Sequence, residues 1–133
     1  MTPMSKRVFV FGANEAGKHG AGAALYARLH HGAVYGVGVG LTGNSYALPT
    51  KDMNIRVLPL ESIQVYVTRF LTFAENSPEM EFDVTRIGCG HAGYRDEDIA
   101  PLFLIHGPVP ANCWFPEAWW PWLGDAANYN DFV

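Results

Sequence analysis

Cysteine is scarce in this chain: Cys89 and Cys113 are the only two in 133 residues. That is too few for a disulfide framework, and no C-x-x-C pair suggests zinc. Two reduced thiols are expected, with no metal and no cofactor. Basic residues are also few, 9 Lys and Arg against 13 Asp and Glu, for a formal net charge of −4. This balance excludes broad electrostatic binding to duplex DNA or an anionic membrane, although a local pocket can still hold an anion. A nucleic-acid substrate would have to be recognised at one nucleotide. There is no positively charged stretch leading into an apolar signal region, and no apolar run of membrane-spanning length, so a cytoplasmic protein is expected. Internal repeats, linkers and low-complexity tracts are missing too, and the length suits a single domain spanning residues 1–133.

What the chain does have is apolar residues (49%) and 14 glycines, the composition of a protein with a real core whose loops carry function. Arg7-Val8-Phe9-Val10-Phe11, stopped by Gly12, reads as a buried strand. A glycine-rich loop leads from it into a helix over residues 23–31, ended by Gly32. Residues 36–45 are glycine-rich and non-helical, and residues 45–49 form a second strand with Thr50-Lys51-Asp52 at its exit. Ile63, Val67, Phe70, Leu71 and Ala74 follow helical spacing and mark a helix from about Leu60 to Ala74. Residues 82–87 read as a strand, Asp96-Glu97-Asp98 as the acidic start of a helix through Phe103, and residues 112–115 as a last strand. The alternation predicts an α/β fold with a mixed, mostly parallel sheet, and ligands at the carboxyl ends of its strands.

The segment Phe82–Tyr94 is the most informative. A strand breaks into Gly88, Gly90 and Gly93, which lets bare backbone amides approach a ligand, and a helix start follows. A phosphate or diphosphate is the ligand this pattern suits. Gly38-x-Gly40-x-x-Gly43 has the letters of a dinucleotide fingerprint but leads into a strand instead of a helix. Gly17-Lys18-His19-Gly20 lacks the Gly-Lys-Ser/Thr ending of an ATP-binding P-loop.

Three stretches together carry a family resemblance: Phe11-Gly12-Ala13-Asn14 with its glycine loop and small-residue helix, Tyr46 to Lys51, and Thr85-Arg86-Ile87-Gly88-Cys89-Gly90. Over roughly residues 7–116 the chain resembles a compact macrodomain, similar to the branch of terminal ADP-ribose protein glycohydrolase and the antitoxins that strip ADP-ribose from DNA. The resemblance implies a three-layer α/β/α sandwich that holds ADP-ribose, or an ADP-ribosylated substrate, with the diphosphate between two glycine loops. Gly88, Cys89, Gly90, His91, Ala92, Gly93 and Tyr94 match the second phosphate loop. Asn14, Gly20, Ala21 and Gly22 match the first, where the Asn side chain would bond the distal ribose hydroxyls. Lys51 matches the lysine that attacks the anomeric carbon of that ribose, a role a desolvated amine can fill by forming a Schiff base with an opened sugar. One departure is plain: the branch has an aspartate where this chain has Ala92, so the usual general acid/base is missing, and Asp52, Asp96 or Asp98 would have to supply it.

Each residue also has an ordinary structural reading. Lys51 and Asp52 form a solvated turn pair as readily as a catalytic one. His19 is either a ligand contact or acid/base, or a loop hydrogen-bonder. His30 and His31 suit a helix C-terminus. Tyr94 either packs on a ribose or base or joins the core. The aromatic run Phe115–Trp122 either lines a base pocket, covers the sheet, or makes a homo-oligomer interface. The reading that follows is a macrodomain-like binder of ADP-ribose or a related nucleotide diphosphate sugar, with hydrolysis through Lys51 open. The alternative is a non-catalytic sensor or sequestering module for a nucleotide metabolite.

Overall fold

The computed structural model describes residues 7–131. Six strands form one sheet in the order β2-β3-β1-β4-β5-β6. They are β1 (Val8–Asn14), β2 (Gly40–Thr42), β3 (Ser45–Lys51), β4 (Phe82–Val84), β5 (Cys113–Pro116) and β6 (Asn128–Asn130). Every neighbouring pair is parallel except β2 with β3. Four helices accompany the sheet: α1 (Gly22–His30), α2 (Leu60–Glu75), α3 (Asp96–Ile99) and α4 (Trp120–Leu123). None is long and apolar enough to cross a membrane among the described residues.

The two-residue period of a strand explains why β1 can sit at the centre. Val8 and Val10 point into the larger apolar cluster, while Phe9, Phe11 and Ala13 point into a smaller one on the other face. That smaller cluster is closed by Ala24 and Ala27 of α1, whose short side chains let the helix approach the two phenylalanines closely. On the larger side, α2 contributes the expected stripe of Ile63, Val67, Phe70, Leu71 and Ala74, all buried. Phe70 packs edge-on against Phe82, with ring centroids 5.3 Å apart. Ile99, Phe103 and Trp119 complete this cluster below β4 and β5.

The aromatic tail divides at this point. Phe115 and Trp119 are fully buried, whereas Trp120 and Trp122 remain exposed. Residues 117–119 form a 3₁₀ turn that runs into α4, a fold-back that turns Trp119 inward. The expected helix over residues 96–103 is also divided, into α3 and a 3₁₀ segment Ala100–Leu104 with Pro101 in its first turn. The strand expected to reach Ile87 ends at Val84. Beyond it, Thr85 turns its backbone N–H and its Oγ1 onto the Val10 carbonyl, at 3.1 and 2.8 Å.

Strand order decides where a ligand can sit. From β1 the chain passes through α1 to β3 on one side, then through α2 to β4 on the other side of β1. The carboxyl ends of β3, β1 and β4 therefore open at a reversal of strand order, the place where open α/β sheets leave a crevice.

Candidate functional site

The first wall of that crevice is the loop after β1, and Asn14 builds it. The Asn14 side chain donates through Nδ2 to the Lys18 carbonyl and accepts the Lys18 N–H on Oδ1, both at 2.9 Å. The Asn14 carbonyl accepts the Gly17 N–H at 2.9 Å. One residue thus closes a tight loop that returns the chain to the sheet edge, where α1 starts. The residue before α1, Ala21, is extended and offers no side-chain cap, and the first turn holds no acidic residue. The N–H groups of Gly22, Ala23 and Ala24 consequently meet no acceptor among the described residues. A helix start with its first amides free and no neutralising carboxylate favours an anion.

The second wall follows β4. Internal bonds shape it: Cys89 N–H to the Arg86 carbonyl (3.1 Å), Gly93 N–H to Gly90 (3.0 Å) and Tyr94 N–H to Gly88 (2.9 Å). The N–H groups of Gly90, His91 and Ala92 have no acceptor among the described residues. Gly88 has φ +79, and a Cβ there would stand 3.0 Å from the Ile99 side chain, so the loop can turn here only with glycine.

Asp96 anchors this wall from below. It accepts two hydrogen bonds from Arg86 (2.9 and 2.7 Å), one from the Trp119 indole (2.8 Å) and a long one from the Cys89 thiol (3.5 Å). Burial alone would raise its carboxyl, but the bonds from Arg86, Trp119 and Cys89 outweigh that and hold it below the usual carboxylate range. Cys89 feels the opposite effect. Its burial and the Asp96 charge push the thiol up to about 12, so it stays protonated and is no nucleophile.

The two walls meet. His91 Cδ2 and Nε2 lie 3.1 and 3.2 Å from where a Cβ on Gly22 would stand, and the Gly88 nitrogen lies 3.5 Å from the equivalent point on Gly12. Between and beside them opens a cleft of about 1180 Å³, somewhat larger than most small-molecule sites. Asn14, Gly20, Ala21 and Gly22 line it on one side, and Gly88, Cys89, Gly90, His91 and Ala92 on the other. Lys51, the last residue of β3, also lines the cleft. Its backbone carbonyl accepts the Glu15 N–H at 2.9 Å, which ties it to the first loop.

Four of the residues singled out from the sequence lie elsewhere. Asp52 does not line the cleft; its Oδ1 accepts the N–H groups of Asn54 (2.8 Å) and Arg56 (3.0 Å), and the Arg56 amide is the main reason its carboxyl is held low. The acid is spent on a turn. His19 is fully buried under the first loop, edge-on to Phe11 and Tyr35 at 5.4 and 6.2 Å. Neither ring nitrogen has a hydrogen-bond partner of normal geometry, although the Val37 backbone is near. Burial lowers its pKa, and the Arg28 charge acts in the same direction. Gly93 serves the turn, and Tyr94 donates its hydroxyl to the Leu58 carbonyl at 2.6 Å and packs against the larger core. Asn14 reaches the cleft, but its amide is engaged with Lys18 instead of standing free for a ribose.

Other lining residues were not anticipated. Phe9 and Tyr26, with ring centroids 5.5 Å apart, both line the cleft, Phe9 buried against His31 and Tyr26 half exposed. Asp131, just after β6, is the one carboxylate in the lining, held there because the neighbouring Asn130 amide donates to the Val84 and Trp114 carbonyls at 3.2 and 3.1 Å. Ile55, 40% exposed, lines the cleft with φ +63. Only the last had a readable cue, since Asp-x-Asn at 52–54 is a turn-forming pattern. The chain matches no family model, no curated protein and no solved structure.

Proposed function

We propose that this chain is a three-layer, macrodomain-like protein that binds ADP-ribose or a related nucleotide diphosphate sugar. The observation that carries the reading is the pair of acceptor-free amide sets, Gly22–Ala24 and Gly90–Ala92, on opposite walls of one cleft. A diphosphate has acceptors on both phosphates and can satisfy two such sets at once, and charge-assisted bonds to backbone N–H groups are among the stronger ones in proteins. Tyr26, half exposed in the cleft lining, offers a ring for a base, since stacking needs no particular hydrogen-bond pattern. Lys51 offers an amine at the cleft.

In the catalytic form of this proposal, the Lys51 amine attacks the anomeric carbon of the distal ribose. A C–N bond forms as the bond to the modified group breaks, that group leaves with a proton, and water later releases the sugar from the lysine. The sensor reading also has an observation in its favour: Asp52 Oδ1 holds its turn and Ala92 stands in the second loop, so neither segment puts a carboxylate into the cleft lining, where Asp131 is the one acid.

Lys51→Ala separates the two. If the chain is a hydrolase, calorimetry finds ADP-ribose affinity within about threefold of the parent, while release of ADP-ribose from modified protein or DNA disappears. If the parent releases nothing from any ADP-ribosylated substrate, the sensor reading stands. If the parent binds no nucleotide diphosphate sugar, both fail.

A further inference from the structure

We infer that Ile55 is a specificity-determining residue of the cleft, an apolar wall held beside Lys51 to pack on the uncharged face of the sugar at that end. This inference rests on the nucleotide diphosphate sugar reading above. Ile55 is the only residue other than glycine with positive φ among the described residues, at +63. A β-branched side chain is the least suited to that conformation, because its Cβ substituents crowd the backbone. Asn54, immediately before it, is of a type that enters the left-handed region readily. The chain nevertheless places the isoleucine there.

The surrounding hydrogen bonds leave it no alternative. The Asp52 carboxylate takes the N–H groups on both sides of Ile55, those of Asn54 and Arg56. The Ile55 N–H donates to the Asp52 carbonyl at 3.1 Å, and the Asp52 N–H to the Arg56 carbonyl at 2.7 Å. A bridge between Lys51 and Val57 closes the turn at its base. So held, the Ile55 side chain gains no place in either core cluster. It is 40% exposed and lines the cleft. A strained, apolar, part-exposed side chain fixed in a cleft lining is the pattern expected where strain serves a ligand. It stands four residues from Lys51, in the turn closed by the Lys51–Val57 bridge, and both residues line the same cleft. An apolar wall there favours a neutral sugar ring over a terminal phosphate.

Ile55→Asn removes the wall and relieves the strain in one step. Calorimetry with ADP-ribose and with ADP, and the thermal midpoint of the full chain, read the outcome. The expected result is a midpoint raised by about 3–6 °C, ADP-ribose affinity reduced about five- to tenfold for the lost apolar contact, and ADP affinity within about twofold of the parent. Unchanged ADP-ribose affinity overturns the inference, as does equal weakening of both ligands or a lowered midpoint, which would make Ile55 a structural residue. A parent that binds ADP-ribose no better than ADP also overturns it, while leaving the diphosphate reading intact. A parent that binds neither ligand removes that reading, and the inference with it.

Discussion

Gly90→Val tests the phosphate cradle with the least disturbance to the fold. A Cβ added at Gly90 meets no atom within 4 Å, and the backbone there is not in the left-handed region, so nothing in the protein itself requires glycine. Compatible glycine replacements even stabilise slightly by restricting the unfolded chain; the thermal midpoint is therefore expected within about 1 kcal/mol-equivalent of the parent. The ligand is affected differently. A branched side chain at Gly90 stands among the free amides of Gly90, His91 and Ala92 and keeps a phosphate from reaching them. Losing two charge-assisted hydrogen bonds at about 1.5–3 kcal/mol each predicts a fall of about 3–6 kcal/mol, or at least a hundredfold in affinity. Calorimetric titration with ADP-ribose, beside a thermal melt of the same sample, reads both quantities. A folded Gly90→Val protein that binds ADP-ribose as the parent does refutes the cradle.

Three further outcomes follow from the same contacts. Trp119→Phe, which leaves one Asp96 oxygen without its indole donor, is expected to lower stability by about 1–3 kcal/mol in a urea melt; no loss would mean the bond is immaterial. The Asp96 carboxyl is held low in the fold, so its contribution is present above the unfolded value near pH 4 and is lost as pH falls through the lower folded value; in Asp96→Ala that acid-dependent component disappears from a stability–pH profile. His19 is held neutral by burial, so the fold is fully stable above about pH 6.5 and weakens as pH falls through that value toward the lowered one. His19→Leu should therefore flatten the profile between about pH 7 and 5, leaving the share from His31, whose pKa is also lowered by burial. An unchanged slope would contradict the neutral buried imidazole.

How far the sequence could be read depended on element length and on which bonds a side chain finds. β1 and α2 announce themselves because a run of Val, Phe and Ile has only one period to follow, and tertiary packing agrees with it; β3 is legible from the short apolar stretch Tyr46-Ala47-Leu48. β2 and β6 do not. Each has three residues, and Gly40-Leu41-Thr42 or Asn128-Tyr129-Asn130 becomes a strand only because a neighbouring edge is there to pair with. In the candidate site, the glycine loops and Lys51 were visible as chemistry at strand ends. The partners of Asn14, Asp52, His19 and Tyr94 were not, because a local backbone amide, a carbonyl across the core or an aromatic neighbour competes for each polar group, and spacing alone does not rank them. Ile55 and Asp131 reach the cleft through the geometry of a strained turn and an edge strand, neither of which leaves a periodic trace.

If backbone amides on two walls hold one diphosphate, backbone NMR of the ¹⁵N-labelled full chain during titration with ADP-ribose will register it at both walls. The Gly22–Ala24 and Gly90–Ala92 resonances are expected to move together, in a single saturating step, as their N–H groups gain acceptors. Saturable binding that leaves either set unmoved would contradict it.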